Sequence, residues 1–389
     1  MTMGITSPTS TTGQILKNGS AVISFDANNN ATFAGNVAPS VNPTMRNRII
    51  NGAMVIDQRN AGASVTATTT NPTYTLDRWA AYFSQNSKYT VQQNAASVTP
   101  PAGFTNYLGV TSSSAYTVLA GDYFAIGQSI EGYNVADLAW GTANAKTITF
   151  SFWVRSSLTG TFGGALQNSA YSRTYPFSYT ISAANTWEQK TVTVTGDTSG
   201  TWLTTNGVGI RFLFGLGAGS TYGSGTAGAW SSTESWNCSG ATSVVGTNGA
   251  TFYITGVQLE VGSVATPFEQ RLYGQELALC QRYYYNHVTG GGGYPVGMGS
   301  IYTASIMLGY VQFPVTMRTT PTISATSGTD YWTIYRNGGS DQFNSLVLDC
   351  AYTSGYSFKN TTEIASTAGQ AGVVQTYNSS SSLNFSAEL

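Results

Sequence analysis

Catalytic chemistry in this chain would depend on very few residue types. His287 is the only histidine, and it lies between a predicted helix and a run of glycines. A Ser/His/Asp arrangement needs a nucleophile on a sharp strand-to-helix turn, but the sequence has no G-x-S-x-G. Segment 223–228, GSGTAG, has dinucleotide-binding spacing but lies in a Gly/Ser/Thr stretch, without the strand and helix that this motif requires. We therefore expect a protein that is not an enzyme.

Carboxylates leave one catalytic alternative open, because a glycoside hydrolase needs only two acids at a defined separation. The acids occur singly along the chain, as is typical of turn caps and salt-bridge partners. The candidates for a hidden pair are Asp77, Asp122, Glu131, Asp137, Glu188, Asp197, Glu234, Glu260, Glu269 and Glu276.

Metal and cofactor chemistry has little support in the sequence. The three cysteines, Cys238, Cys280 and Cys350, are far apart and lack zinc-ligand or disulfide spacing. No D-x-D-x-D-G run predicts an EF-hand. We expect no cofactor and no metal site. The alternative is one structural calcium ion, held by backbone carbonyls with one or two of Asp77, Asp122 and Glu260.

Sugar binding is the chemistry that the composition favours. A typical glycan site stacks an aromatic ring on the apolar face of a sugar and binds the hydroxyls with amide and hydroxyl groups. The same rings also suit cores and subunit interfaces, so each candidate has a structural alternative. The candidate sugar contacts are Trp202, Tyr222, Trp230 and Trp236, followed by Tyr331, Trp332 and Tyr335 in the C-terminal part.

The charge content limits the partners. Only 8% of the 389 residues are charged and the formal net charge is −1, whereas ordinary soluble domains have roughly 25% charged residues. Nucleic acid is therefore not an expected partner, since no face can carry a dense positive field. Strand edges without Lys or Glu are prone to aggregate, so we expect partner chains to cover them in a homo-oligomer.

Targeting signals are not evident. We expect no signal peptide, because the N-terminal segment lacks the charged-then-apolar pattern, and no membrane insertion, because no apolar run reaches 18 residues. The expected site of synthesis is the cytoplasm.

The elements that must position these residues are strands. In 147–155, Ile148, Phe150, Phe152 and Val154 alternate with polar residues, which predicts a half-buried strand. Segments 188–195, 209–216 and 251–260 repeat the pattern. In the last, the apolar phase slips at Gly256, which predicts a β-bulge.

These patterns predict an all-β chain in four parts. Residues 1–45 form an N-terminal segment with strand signals at 13–16, 21–25 and 31–37, either a flexible arm or strands completed by neighbouring chains. Residues 46–273 form one large β-sandwich, in which the long polar stretch 215–249 is functional or lies against another chain. The resemblance described below implies that the first segment is an attachment segment and that the sandwich is a jelly roll. Residues 274–293 hold a helix at 275–285 and a Gly-rich hinge at 290–293. Residues 294–389 form a smaller C-terminal β domain, with strand candidates at 305–315, 321–325, 331–335 and 345–350.

Several blocks resemble virion proteins of tailed bacteriophages. NRIINGAMVIDQRN at 47–60 and LDRW at 76–79 resemble the opening of a domain common in tail fibres. FWVRSSLTG at 152–160 and WEQKTVTVTGDTSG at 187–200 are similar to later parts. The most specific block is TFYITGVQLEVGSVATPFE at 251–269, which leads into QELALCQRYY at 275–284.

The resemblance implies a jelly roll similar to carbohydrate-binding modules, then a helix and a variable tip. SFDANNNATFAGNV at 24–37 resembles the strand-forming connectors that precede fibre domains. Such proteins are generally trimers that attach to other virion proteins by the N-terminus. The resemblance supplies no catalytic residues, and the segment after Asn286 matches no family.

The sequence therefore predicts a homotrimeric tail fibre, located in the virion and more specifically at the tail, that recognises a host-surface polysaccharide. The helix at 275–285 would lie near the three-fold axis. A capsid decoration or baseplate protein is one alternative, and a tailspike polysaccharide depolymerase is the other.

Overall fold

The structure, a computed structural model, describes residues 45–389 except residue 69, together with four short strands before residue 34. The chain divides into two compact units, Met1–Arg46 and Asn47–Leu389. In the first unit, four antiparallel strands pair in sequence order. They are β1 Met3–Thr6, β2 Gly13–Lys17, β3 Ser20–Phe25 and β4 Ala31–Phe33. Three of these correspond to predicted strands, while residues 34–37 of the third prediction lie outside the described residues.

Twelve strands form the first part of the second unit. They are β5 Val65–Thr66, β6 Thr73–Tyr74, β7 Ala80–Phe83, β8 Tyr89–Gln93, β9 Leu108–Ser112, β10 Tyr123–Glu131, β11 Ile148–Ser156, β12 Gly160–Gln167, β13 Thr174–Ile181, β14 Glu188–Val194, β15 Val208–Ala218 and β16 Thr251–Val261. Three short 3₁₀ turns, Ala95–Ser97, Gly132–Asn134 and Ala136–Leu138, lie between them.

These strands form a jelly roll. One six-stranded sheet has the order β14-β11-β16-β9-β8-β5, and the other has the order β13-β12-β15-β10-β7-β6. The eight strands from β9 to β16 are divided equally between the two sheets. In one sheet they have the order β9-β16-β11-β14, and in the facing sheet they have the order β10-β15-β12-β13. This is the strand arrangement of a jelly roll. The predicted fold class is confirmed.

The core between the two sheets is built by the alternation seen in the sequence. Phe150 and Phe152 on β11 are buried and contact Phe212 and Phe214 on β15, each pair with ring centroids 4.9 Å apart. Burial of each such ring contributes about 1.5–3 kcal/mol. Opposite β11, the register of β16 shifts at Gly256, whose φ is +60°, so the predicted bulge is confirmed.

The helix differs from its prediction at both ends. Helix α1 spans Tyr273–Gln281, and Tyr284 begins strand β17, where it pairs with Ser386. Three successive tyrosines favour a strand, and pairing with a distant segment overrides the helical spacing. The predicted hinge is not a free linker either. Gly290 and Gly293 donate backbone hydrogen bonds to Ser381 and Thr376, at 2.8 and 2.7 Å.

A second β core follows the helix. Its strands are β17 Tyr284–Thr289, β18 Pro295–Thr303, β19 Ile306–Gln312, β20 Thr322–Ala325, β21 Trp332–Arg336, β22 Gly339–Phe343, β23 Val347–Tyr352, β24 Gly355–Asn360, β25 Ala371–Thr376 and β26 Ser382–Ser386. They form a three-stranded sheet, β17-β26-β20, and a seven-stranded sheet, β22-β21-β25-β18-β19-β24-β23. A cluster that includes Trp332, Phe358 and Phe385 fills the core. The predicted C-terminal strands all occur, with bounds shifted by one to three residues.

No helix in the described part of the chain is long and apolar enough to span a membrane.

Candidate functional site

The scattered acids are bound to protein groups. Glu131 pairs with Arg282, and Asp197 pairs with Arg173. Asp77 accepts hydrogen bonds from the backbone and side-chain nitrogens of Gln58, at 2.6 and 2.9 Å, while burial raises the pKa of Asp77. These contacts use the three acids to hold local structure.

The three acids considered for calcium are also engaged separately. Asp122 accepts hydrogen bonds from Ser84, Tyr116 and the backbone nitrogen of Leu119, each at 2.8 Å. Glu260 accepts from the backbone nitrogen of Thr266 at 2.8 Å. Within the described residues, no group of three or more His, Cys, Asp or Glu side chains could hold a metal ion.

His287 is part of the C-terminal core. Its Nε2 lies 2.6 Å from the carbonyl oxygen of Val296, which can only accept, so Nε2 carries the proton. Its Nδ1 lies 2.8 Å from the hydroxyl of Tyr285 and accepts from it when the ring is neutral. Burial lowers the pKa of His287, although the Val296 hydrogen bond opposes this effect. Both ring nitrogens are therefore used to fix the fold.

Three of the blocks that carried the family resemblance meet at one buried residue. Asn51 is completely buried, and its side-chain nitrogen donates to the carbonyl of Asp77 at 3.0 Å. The Trp79 indole donates to the Asn51 carbonyl at 3.0 Å, and the Asn51 backbone nitrogen donates to Glu276 of α1. The motifs at 47–60, 76–79 and 275–284 therefore build a junction between the jelly roll and the C-terminal core.

Buried charges complete this junction. The guanidinium of Arg78 pairs with Glu388 and lies over the ring of Tyr283, 3.6 Å from its centroid. Arg59 pairs with the other oxygen of Glu388 at 2.8 Å. Arg78 and Glu388 have side chains that are 1% and 5% exposed. A buried ion pair fixes geometry more than it adds stability, so the junction holds the two cores in one arrangement.

Two candidate sugar contacts lie in the long polar segment, which folds back on the chain's own sheet. Trp236 is 3% exposed and stacks on Tyr123 of β10, with ring centroids 4.2 Å apart. The indole therefore cannot present its face to a sugar, and the prediction that Trp236 contacts the ligand is wrong in this structure. Tyr222 is half-buried beside Tyr123, with centroids 5.4 Å apart.

Bare glycines let this segment lie close to the sheet. A Cβ on Gly163 would be 2.5 Å from the sulfur of Cys238, and one on Gly215 would be 2.4 Å from Nδ2 of Asn237. Gln167 at the end of β12 donates to the carbonyl of Ser235 at 2.9 Å. The segment predicted to be functional or to cover another chain thus covers the outer face of the β10–β15 sheet.

Three tyrosines at the rim of this covered face are only partly buried. Tyr123, Tyr171 and Tyr222 pack around the buried Trp236, and we call them the tyrosine patch. The guanidinium of Arg211 lies 4.0 Å from the centroid of the Tyr171 ring.

Hydrogen-bonding side chains border the patch. Asn71 donates to the Tyr123 hydroxyl at 2.9 Å, and Glu234 accepts from the Trp236 indole at 2.8 Å. Aromatic faces bordered by amide, carboxylate and guanidinium groups can bind both the apolar and the hydroxyl sides of a sugar.

The other two sandwich candidates, Trp202 and Trp230, pack with Trp140. The three rings contact one another edge to face, with centroids 4.8, 5.2 and 5.4 Å apart. The indole of Trp230 donates to the carbonyl of Thr195 at 2.8 Å. The cavity beside Trp140 and Trp202 measures about 10 Å³, which is enough for about one water molecule. The three indoles therefore pack mainly against one another, and the cavity beside them cannot admit a sugar ring.

The C-terminal candidates separate by burial. Trp332 is completely buried and its indole donates to the carbonyl of Thr326 at 3.0 Å, so its prediction as a sugar contact is wrong in this structure. Tyr331 is half-buried against the same core. Tyr335 on β21 is 46% exposed and lines a surface depression. Of these three, only Tyr335 presents a largely open ring.

Sequence reasoning did not identify Tyr123, Tyr171 or Arg211. Tyr123 begins β10, in which Phe124, Ile126 and Ile130 face the core, so the alternation itself places Tyr123 on the outer face. No comparable signal marks Tyr171, which lies in a turn, or its contact with Arg211 on β15.

No protein-family model and no curated protein matches the chain. Among solved structures, the enzymatically active domain of tailspike protein 4 from bacteriophage CBA120 is 10% identical with a TM-score of 0.28, over 56% of this chain and 22% of that one. The chain thus spans about a fifth of the tailspike domain's length.

Carbohydrate-binding modules are also among the matches. A CBM4 structure is 15% identical with a TM-score of 0.27, over 55% of this chain and 98% of that one. The tandem CBM22-1–CBM22-2 domain of Paenibacillus barcinonensis Xyn10C is 8% identical with a TM-score of 0.25, over 85% and 99%. Likenesses at these scores carry no conclusion about function.

Proposed function

We propose that this chain is a non-catalytic, glycan-binding structural protein of a bacteriophage virion, specifically a homotrimeric tail fibre that contributes to host-surface recognition. The observation that carries the glycan-binding part is the tyrosine patch. Three partly buried rings, one on β10 and two in connecting segments, pack around Trp236, and Asn71, Arg211 and Glu234 lie at their border. Rings fixed by the underlying Trp236 lose little conformational freedom when a ligand binds.

The virion part of the proposal rests on the sequence blocks and on the surface chemistry. Three of the blocks similar to tail-fibre proteins build the buried junction around Asn51, which connects the two β cores. Two β cores connected in this way suit a fibre that transmits contact from the host surface to the particle. With 8% charged residues and a net charge of −1, copies of the chain would not repel one another.

Glycan binding can be tested by affinity electrophoresis of the whole chain in gels that contain lipopolysaccharide O-chains or capsular polysaccharide. We expect Tyr171→Ala and Tyr222→Ala to weaken binding roughly tenfold each, as expected for the loss of a stacked ring of about 1.4 kcal/mol. Tyr133→Ala is the matched control, because Tyr133 is 62% exposed and lies on a 3₁₀ turn outside the patch. Equal binding by all three variants would contradict the role of the patch.

Two further measurements test the rest of the proposal. Light scattering should give three times the mass of one chain, and a monodisperse monomer would exclude the trimer. Immunogold labelling should decorate the tail, whereas label over the head would favour a decoration protein. Release of reducing ends from the same polysaccharides would contradict the non-catalytic assignment.

A further inference from the structure

A second surface, on the C-terminal core, has the form of a polymer-binding groove. Two shallow depressions of about 570 and 350 Å³ lie on the outer face of the seven-stranded sheet, and Ala371 lines both. Tyr335 lines the first, and Met298 and Tyr310 line the second. The two depressions meet at Ala371, and we call the surface that they form together the C-terminal groove.

The groove runs across the strands. In the register, Tyr335 on β21 pairs with Val373, Val373 pairs with Met298, and Met298 pairs with Tyr310. The two tyrosines are therefore three strand spacings apart, about 14 Å. The side chains of Val373 and Met298 lie between them, and the small residues Ala371 and Ser300 lie beside these two. A groove of this length with an aromatic ring near each end suits a segment of a linear polymer.

Tyr310 is held in place by a glycine. A Cβ on Gly355 of β24 would lie 2.0 Å from the Tyr310 hydroxyl oxygen and 2.4 Å from Cζ. The hydroxyl end of the Tyr310 ring therefore occupies the space that a side chain at Gly355 would fill, and Tyr310 is 48% exposed. An aromatic ring that covers a glycine in a sheet is supported on one side and open on the other. This is the geometry of a stacking platform.

The charges at the border of the groove are already paired within the chain. Arg336 contacts Asp341 at 2.9 Å, and Lys359 contacts Asp349 at 3.2 Å. The polar side chains that line the groove include the hydroxyls of Ser300, Ser340 and Ser357. An uncharged ligand rich in hydroxyl groups matches this surface, whereas an acidic polymer would find no unpaired cation there.

We infer that the C-terminal groove is a second glycan site, which binds a segment of an uncharged polysaccharide with Tyr335 and Tyr310 as stacking platforms. The inference rests on the proposed glycan-binding function, but it places this site on a different core from the tyrosine patch. Its affinity should be almost independent of salt, since no charge pair forms on binding.

The test is affinity electrophoresis of the whole chain in gels containing dextran, galactomannan or mixed-linkage β-glucan, with alginate as the acidic probe. We expect retardation by an uncharged polymer and a roughly tenfold loss of affinity in Tyr310→Ala and Tyr335→Ala.

Gly355→Ala keeps both rings but displaces Tyr310, so it should also weaken binding. Tyr352→Ala is the control, because Tyr352 is 58% exposed on β23 and lines neither depression. Melting temperatures should be compared for all four variants.

The outcomes separate this inference from the proposed function. If Tyr171→Ala abolishes binding and the groove variants do not weaken it, the groove inference fails and the patch stands. If the groove variants weaken binding and Tyr171→Ala does not, the groove stands and the patch fails. A groove variant that lowers the oligomer mass but binds normally would identify an interface between copies and overturn the inference, as would binding to alginate alone.

Discussion

The guanidinium of Arg282 donates to both carboxylate oxygens of Glu131, with Nε–Oε2 and Nη2–Oε1 distances of 2.9 and 2.6 Å. Glu131 ends β10 of the jelly roll, and Arg282 follows helix α1 at the entry to the C-terminal core. Tyr283 adds a third hydrogen bond to Glu131 at 2.6 Å. One carboxylate therefore links the two β cores.

Replacing this carboxylate should weaken both cores together. Glu131 has a side chain that is 1% exposed, whereas that of Arg282 is 32% exposed. In Glu131→Gln the partly buried guanidinium loses its counter-charge, and we expect a loss of about 2–3 kcal/mol in the free energy of unfolding. Calorimetry should show the melting transitions of the two cores moving down together. Asp137→Asn is the control, because the Arg48–Asp137 pair is more exposed and contributes at most about 1 kcal/mol.

The same pair has a defined pH dependence. Burial alone would raise the pKa of Glu131, but hydrogen bonds from Arg282 and Tyr283 outweigh it and hold the pKa below the ordinary 4.5. A depressed carboxyl pKa stabilises the fold above pH 4.5, and this contribution is lost as the pH falls through the folded-state pKa. If Glu131→Gln and the native protein lose stability in parallel below pH 4.5, Glu131 does not carry this dependence.

The sequence was most informative where one physical rule dominates. Alternation in 147–155 and the phase slip at Gly256 predicted β11 and the bulge, because one buried face specifies a strand's register. The prediction from helical spacing failed at Tyr284. Apolar residues continue there at helical spacing, but the backbone pairs with Ser386, a residue 102 positions later. Local spacing carries no information about such a partner.

The prediction of two site residues was wrong for a related reason. Trp236 and Trp332 were chosen by residue type, and both are buried, because the sequence of a polar segment does not show whether it folds back on a sheet. The sequence shows the motifs that build the junction around Asn51, but it does not show their contacts, since Asn51 and Glu276 are separated by more than 200 positions. Tyr310 was not predicted because its exposure depends on Gly355 in the neighbouring strand.

His287 should make the C-terminal core sensitive to mild acid. Burial lowers its pKa below the ordinary 6.5, so the folded state favours the neutral ring. The contribution of His287 to stability is therefore fully present above pH 6.5. It declines as the pH falls from 6.5 towards the folded-state pKa of His287, above the range in which carboxyl groups titrate. We expect the C-terminal core to melt at a lower temperature at about pH 5.5 than at about pH 7.5. His287→Gln, which retains a donor for Val296, should lose most of this difference; an unchanged difference would exclude His287 as its source.

Gly163 should control how firmly the segment carrying Trp236 lies on the sheet. In Gly163→Ala the new Cβ would overlap the Cys238 sulfur, 2.5 Å away, so the segment must shift at a cost of about 1–3 kcal/mol. Of the three cysteines, Cys238 and Cys280 are buried and Cys350 is exposed. A thiol reagent should therefore modify one cysteine in the native protein and a second, Cys238, in the variant, as peptide mapping can show.

The matched control is Gly274→Ala, because a Cβ on Gly274 in α1 meets nothing within 4 Å and alanine favours a helix. Slow modification of Cys238 in both variants would show that the segment does not depend on this close approach, and the rim of the tyrosine patch would then need another support.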